Sequence, residues 1–295
     1  MFELLGVPPQ ALFGQLLLGL INGAFYAMLS LGLAVIFGML NVVNFAHGAL
    51  YMMGAFLAWL LLDKLGVGYW PALLLAPLAV AVLGAVIERT MLRWLYKLDH
   101  LYGLLLTFGL ALIVEGLFRN EYGSSGQAYS MPELLAGGHN LGFMFLPNYR
   151  GWVVAASLIV CLATWFVIER TKLGAYLRAA TENPALVQAF GINVPMMLTL
   201  TYAAGVALAA LAGVMAAPIY NVSPQMGSSL IIVVFAVVVI GGMGSIMGSI
   251  VTGFALGIVE GLTKVFFPEA SNTVIFVIMA IVLLIKPAGL FGRTA

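Results

Sequence analysis

Two asparagines and a histidine, Asn41, Asn44 and His47, fall within seven residues of one another in the stretch NVVNFAHGALYMMGA. No side chain between residues 4 and 62 is charged, and His47 is the one there whose protonation changes near neutral pH. Such a group could relay a proton, act as base to a nucleophile, or offer a polar surface to a passing solute. Two carboxylates, Glu115 and Glu260, also stand inside apolar runs, where an ionisable group is a functional candidate by default. Each has a cation four residues on, Arg119 and Lys264, so helical i,i+4 pairing is the simpler account of both.

Other chemistries lack their residues. There is no H-E-x-x-H run for zinc, no cluster of aspartates for a metal-bound diphosphate, and no G-x-x-x-x-G-K-S/T loop to cradle nucleotide phosphates. Hydrolysis would have to use His47 with an undetermined serine, or carboxylates scattered at the ends of apolar segments. The chain is therefore expected to be no enzyme and to bind no metal or cofactor directly. A net charge of +1 gives no case for nucleic acid.

What must position these groups is a membrane bundle. With 63% of its 295 residues hydrophobic, 8% charged and a mean hydropathy of +1.11, the chain is more apolar than a soluble core of this length requires. Charge-free gaps at residues 65–87, 151–168 and 183–259 reach the length of a membrane helix, about 20 residues. They are apolar on all sides, which excludes the period-2 alternation of a membrane β-barrel. The expected fold class is all-α: one polytopic transmembrane domain over residues 1–295. Spans are read at 11–39, 47–62, 70–96, 101–118, 151–168, 196–217, 228–241, 249–266 and 273–287, about nine in a range of eight to ten. Arg89, Arg93 and Lys97, then Arg170, Lys172 and Arg178, then Lys286 and Arg293 cluster in alternate loops. By the positive-inside rule these loops and the C-terminus are cytoplasmic and the N-terminus is outside. The start carries Glu3 and no basic residue before its apolar run, unlike a cleaved signal peptide, so the first span is expected to be retained. Cys161, the single cysteine, lies in an apolar run and reads as a small packing residue.

Two spans are interrupted. Residues 47–62 and 228–241 are short for a crossing, roughly 21 to 24 Å at 1.5 Å per residue against about 30 Å of hydrocarbon. NVVNFAH precedes the first and GGMGSIMGS, residues 241–249, follows the second. Non-helical backbone at membrane depth must face protein or a water-filled cavity, and paired breaks in the two halves of a chain point to a transport pathway. Asn44 is expected near the N-cap of the resumed helix, with its side-chain oxygen on free N–H groups. Asn41, Asn44 and His47 thus serve an unwound backbone first and can also touch solute. Together with Gly241, Gly242, Gly244 and Ser245 they form the expected substrate pathway.

Two loops stand out. Residues 119–150 form a polar extracytoplasmic segment, read as a solvated loop packed on its helix ends or a surface for an external partner; its His139 receives no role. Residues 169–195 form a cytoplasmic loop with its own helix of about two turns, in which Thr181 or Asn183 caps, Pro184 opens and Gly191 ends the helix in the left-handed conformation. Leu186, Ala189 and Phe190 share one face of it, with Gln188 turned away. Such a helix can lie on the membrane or enter a groove of another protein.

NFAHG, RAATENPALVQAFGI and GGMGSIMGS, in this order and spacing, resemble the LivH-type permease subunits of ATP-driven branched-chain amino-acid importers. The resemblance runs from about Gly19 to the terminal KPAGLFGR. It implies alternating access in a bacterial inner membrane. It also implies four kinds of partner: a second, homologous permease in a heterodimer, two cytoplasmic ATPases that use ATP and magnesium, an external solute-binding protein, and membrane lipid. On this resemblance Arg178, Ala180, Glu182, Asn183, Leu186, Phe190 and Gly191 belong to a loop that couples to the ATPases. Branched-chain amino acids are the implied solutes, although related subunits carry urea, amides and other small molecules. The alternative is a gradient-driven carrier or channel for such a small solute, with His47 as a proton relay.

Overall fold

The computed structural model describes residues 8–96 and 98–292. Glu3, Lys97 and Arg293, which entered the expectations above, lie outside the described residues. The helices run in the order α1 (Pro9–Leu40), α2 (Ala46–Leu65), α3 (Tyr69–Ile87), a π turn (Glu88–Leu92), α4 (Arg93–Leu95), α5 (His100–Tyr122), α6 (Asn148–Arg170), α7 (Lys172–Glu182), α8 (Pro184–Ala189), α9 (Val194–Ala216), α10 (Ser228–Gly241), α11 (Ile246–Phe266) and α12 (Val274–Ile285). Among the described residues, eight helical segments are long and apolar enough to cross a membrane, and Val274–Ile285 is a shorter apolar helix. The fold is an all-α polytopic bundle, as expected, with eight candidate crossings and one shorter apolar helix among the described residues.

The bundle is built around α1, whose 32 residues span about 48 Å at 1.5 Å per residue. Its length is buried from Gly23 to Ile36, and it packs most extensively along the antiparallel α11. The contact is made by glycines spaced four apart, Gly19 and Gly23 on α1 and Gly253, Gly257 and Gly261 on α11. A Cβ at Gly257 would lie 2.4 Å from the Gly19 carbonyl oxygen, and one at Gly253 2.6 Å from the Ala27 backbone. Lipid supplies no hydrophobic drive to join helices, so close backbone packing of small residues does so instead. Polar groups lock the same seam: Tyr26 Oη donates to Glu260 at 2.6 Å, and Lys264 Nζ pairs with the other Glu260 oxygen at 2.5 Å. The second pair, Glu115 with Arg119, also forms as read, on α5 at 2.5 Å.

α9 packs against α1, α2 and α3, while α5 and α12 present exposed leucine, isoleucine, valine and phenylalanine as an outer, lipid-facing layer. At one end, Tyr69, Trp70, Tyr129, Tyr149 and Trp152 form an aromatic cluster suited to a membrane interface. The 119–150 loop lies at this end. It carries a small hairpin, β1 (Gly138–Asn140) paired with β2 (Phe145–Pro147), and it is tied to the α9–α10 connection by a bridge between Gln127 and Val222. His139 is exposed in β1.

Two expected element lengths need correction. α2 runs Ala46–Leu65, 20 residues, so it spans the hydrocarbon and is not short. The loop at 169–195 holds two helices rather than one, because α7 buries Gly174, Leu177 and Ala180 at three-residue spacing ahead of the expected short helix. Cys161 is fully buried, as read.

Replacement of Gly257 by alanine should lower the thermal stability of the detergent-purified chain by about 1 to 3 kcal/mol through overpacking. Alanine at Gly116, which would meet nothing within 4 Å, is the control and should be silent. Equal melting of both variants would remove the close-packed seam as a determinant of stability.

Candidate functional site

The first break begins where Asn41 ends α1 in the left-handed conformation, φ 55°, its N–H returning to the Phe37 carbonyl at 2.8 Å. Residues 41–45 then turn back along the bundle before α2 resumes. Here the expected cap is corrected. Phe45 occupies the N-cap with no side-chain bond, and the Asn44 side-chain oxygen takes up no N–H group. Thr107 on α5 does that work: its Oγ1 accepts the Phe45 N–H at 3.1 Å, and its one proton is shared between the Val43 carbonyl at 3.2 Å and the Leu104 carbonyl of its own helix at 3.1 Å. Asn44, fully buried, instead donates through Nδ2 to the Tyr202 hydroxyl on α9 at 3.1 Å.

His47 is also fully buried, in the first turn of α2, and serves a helix rather than the unwound backbone. Its Nε2 donates to the Leu29 carbonyl of α1 at 3.0 Å, so Nδ1 is left an acceptor without a donor. Gly32 makes room for the ring, since a Cβ there would lie 2.9 Å from the imidazole.

The second break, between α10 and α11, is tight. Gly242 and Gly244 adopt φ of 102° and 83°, and Ser245 caps α11 by accepting the Gly248 N–H at 3.1 Å. The carbonyls that end α10 are taken up by the C-terminal segment, Leu290 N–H on Ile240 and Phe291 N–H on Gly241.

The two breaks meet, since a Cβ on Gly38 would lie 2.9 Å from Gly244. Around that meeting point lies an inner cavity of about 610 Å³, lined by Phe37, Asn41, Gly244, Ser245, Phe291 and, from the 169–195 segment, Glu169, Arg178, Thr181 and Glu182. Of the seven expected pathway residues, Asn41, Gly244 and Ser245 line it. Asn44, His47, Gly241 and Gly242 are buried and do not line it.

In the 169–195 segment, Asn183 caps α8 by accepting the Leu186 N–H at 3.0 Å and Gly191 closes it at φ 82°. Of the two caps left open, Asn183 is the one used. Ala180, Val187 and Val194 are buried together and fasten α7 and α8 to the start of α9. Ala180 thus faces inward. Leu186 and Phe190 face outward, 54% and 78% exposed, and Gln188 is exposed with them rather than set apart. Arg178 reaches back to the Ile168 carbonyl and to Glu169.

Two features escaped sequence reasoning. Glu88 is fully buried in the π turn between α3 and α4, accepting hydrogen bonds from Thr199 at 2.6 Å and Tyr96 at 3.0 Å, and none of the described ion pairs includes it. It falls inside the expected span 70–96, where it received no role, because its partner Thr199 is 111 residues away. At the opposite end lies an outer cavity of about 260 Å³ lined by Asn22, Tyr26, Tyr51, Tyr220, Asn221, Ser223, Ser229 and three apolar side chains. Its signal was the shortness of α10, 14 residues, behind the polar run YNVSPQMGSS.

The family model described as the permease component of branched-chain amino acid transport systems matches residues 15–283. The chain is 31% identical to the high-affinity branched-chain amino acid transport system permease protein BraD of Pseudomonas aeruginosa, covering 95% of both chains. To LivH of Escherichia coli, of the same description, it is 29% identical, again over 95% of both. It is also 26% identical to the permease protein LivM of that organism, over 91% of this chain and 68% of the relative.

Tyr202→Phe should strip the last partner from the Asn44 side chain and destabilise the chain by about 1 to 3 kcal/mol. Combined with Asn44→Ala it should cost less than the two single changes together, read from melting of all three variants in one detergent. Strict additivity would show that the bond does not hold the break.

Proposed function

The chain belongs to the family of permease components of branched-chain amino acid transport systems, and on that premise we propose that it forms one half of the membrane pathway of an ATP-driven importer. The solute is a branched-chain amino acid, delivered by an external binding protein. The second half is a homologous permease, a reading supported by similarity to both LivH and LivM within one organism. Two cytoplasmic ATPases consume ATP with magnesium. The chain lies in the inner membrane with the end that carries α7 and α8 in the cytoplasm, the N-terminus outside and the C-terminus inside.

The observation that carries coupling is the pair of exposed apolar side chains, Leu186 and Phe190, on a helix held rigidly from behind by Val187. A side chain as apolar as phenylalanine gains roughly 1.5 to 3 kcal/mol when it leaves water, so this face favours a partner's groove. Glu182 and Asn183 flank it, and Arg178, Thr181 and Glu182 also line the inner cavity. Movement of the docked pair is thereby transmitted to the wall of that cavity through α7. Ala180 and Gly191 shape the pair rather than touch the ATPase.

Along the pathway, Asn41, Gly244 and Ser245 offer polar and backbone groups to solute leaving at the cytoplasmic side. Asn44, His47, Gly241 and Gly242 hold the breaks that shape it. A gradient-driven carrier or channel for urea or an amide, with His47 as proton relay, has no feature of its own in support. The His47 ring is enclosed and fixed to the Leu29 carbonyl.

Phe190→Asp should abolish ATP-driven uptake and co-purification of the ATPases while the chain remains folded in the membrane. Gln188→Asp, a change of similar polarity on an exposed but already polar site, should lower neither by more than about twofold. Co-purification at the wild-type level with Phe190→Asp would overturn the docking face.

A further inference from the structure

The outer cavity has the make-up of a binding site. The N-cap of α10, Gly227, is buried and packed on Gly48 in the first turn of α2, where a Cβ on Gly48 would lie 2.6 Å from the Gly227 carbonyl oxygen. Gly227 is buried while Ser228 and Ser229 are exposed, so the positive end of the helix dipole opens at the mouth of the cavity that Ser229 lines. No side chain caps it. Leu230 and Ile231 return their N–H groups to the Gly227 carbonyl, and the Ser228 and Ser229 N–H groups have no backbone acceptor among the described residues. The hydroxyls of both serines are already given to the Gln225 and Met226 carbonyls.

Tyr51 supplies an independent sign. Its side chain is only 1% exposed, it lines this cavity, and its hydroxyl has no hydrogen-bond partner among the described residues. The other phenols there are engaged, Tyr26 with Glu260 and Tyr220 with Asn22 at 3.1 Å. The Tyr51 hydroxyl is not among the fully enclosed unpaired atoms, so its open side is the cavity itself, where a solute group can meet it. Apolar side chains, Phe25, Met226 and Leu230, complete the wall.

We propose that this cavity is a solute subsite that takes a carboxylate at the N-terminal turn of α10 and the Tyr51 hydroxyl, with the solute's apolar group against Phe25, Met226 and Leu230. A helix N-terminus carries roughly half a positive charge, which complements a carboxylate and gives a neutral amide or urea no comparable advantage. No charged side chain lines the cavity, so the carboxylate is held by dipoles alone and can leave again. This names the solute class of the importer reading and rests on it for what is carried, although the binding itself can be measured without transport.

The test uses the assembled importer in nanodiscs, without its binding protein, and saturation-transfer NMR with L-leucine and leucinamide, which lacks only the carboxylate. Leucine should give at least a fivefold stronger signal than leucinamide. Ser229→Asp should lose the leucine signal at least tenfold, and the uncharged Ser229→Asn, nearly the same in shape, should lose at least threefold less of it. Tyr51→Phe should weaken leucine and leave leucinamide unchanged. Equal signals from the two ligands, or a leucine signal that survives Ser229→Asp, would overturn the subsite. ATP-driven uptake in the same preparation separates the two readings. Uptake of leucine without carboxylate discrimination at the cavity removes the subsite alone; discrimination without uptake removes the importer reading and leaves the subsite standing.

Discussion

The glycine-lined seam between α1 and α11 is the constraint on which the rest of the bundle depends. With backbones this close, the two helices behave as one antiparallel pillar, and the position of every glycine along it is set by the facing chain. That register brings Gly38, near the end of α1, against Gly244, just before α11. Both helices break immediately beyond the seam, so the two interruptions, 200 residues apart in sequence, are forced to the same place. The inner cavity is a consequence of that registration. The Tyr26–Glu260–Lys264 group then locks it at the opposite end, because a carboxylate 6% exposed is stable there only with its donors in place.

Much of this was legible in the sequence because it is local. Apolar run length marks the spans, Glu115 and Glu260 each find a cation one helical turn away, and Asn183, Pro184 and Gly191 are the residues that begin and end a short helix. The breaks at residues 41–45 and 242–245 were legible for the same reason, since asparagine and glycine clusters interrupt oily stretches. What was missed is long-range. Thr107 satisfies the first break from a helix about 60 residues away, and nothing in its own neighbourhood, LLLTFGL, announces that. Asn44 was read as a cap because the local chemistry allows it, but tertiary packing gave it Tyr202 instead. Glu88 lay unremarked inside the expected span 70–96 because its partner Thr199 is 111 residues away, and α7 was hidden by a buried stripe of only three small or apolar residues.

The outer cavity was missed for a different reason. Sequence reading assigns YNVSPQMGSS to an ordinary loop between spans, since depth in the membrane is not a property of the residues themselves. It becomes visible only when Gly227 is seen against Gly48, which sets the start of α10 on the first turn of α2 and opens the cavity beside it. A short span is the sequence trace of such a dipping loop, and α10 at 14 residues, about 21 Å, was the shorter of the two suspects.

Between the two cavities lies a packed layer. Along α1 it extends from Tyr26, on the outer cavity, to Phe37, on the inner one, about 16 Å at 1.5 Å per residue, with every intervening residue buried. On the importer reading, alternating access requires this layer to yield. Its composition makes that less demanding than a core of the same thickness. Gly32, Gly48, Gly205 and Gly227 replace interlocking side chains with backbone contacts, so sliding does not have to unseat large groups. Two acceptors within it, Asn44 Oδ1 and His47 Nδ1, are buried without donors. Asn44 is tied to Tyr202 on α9 and His47 to the Leu29 carbonyl on α1, so any rearrangement of the layer has to carry or break these two bonds. The asparagine and histidine of NVVNFAHGALYMMGA thus matter less as chemical groups than as the contacts that tie the start of α2 to its neighbours.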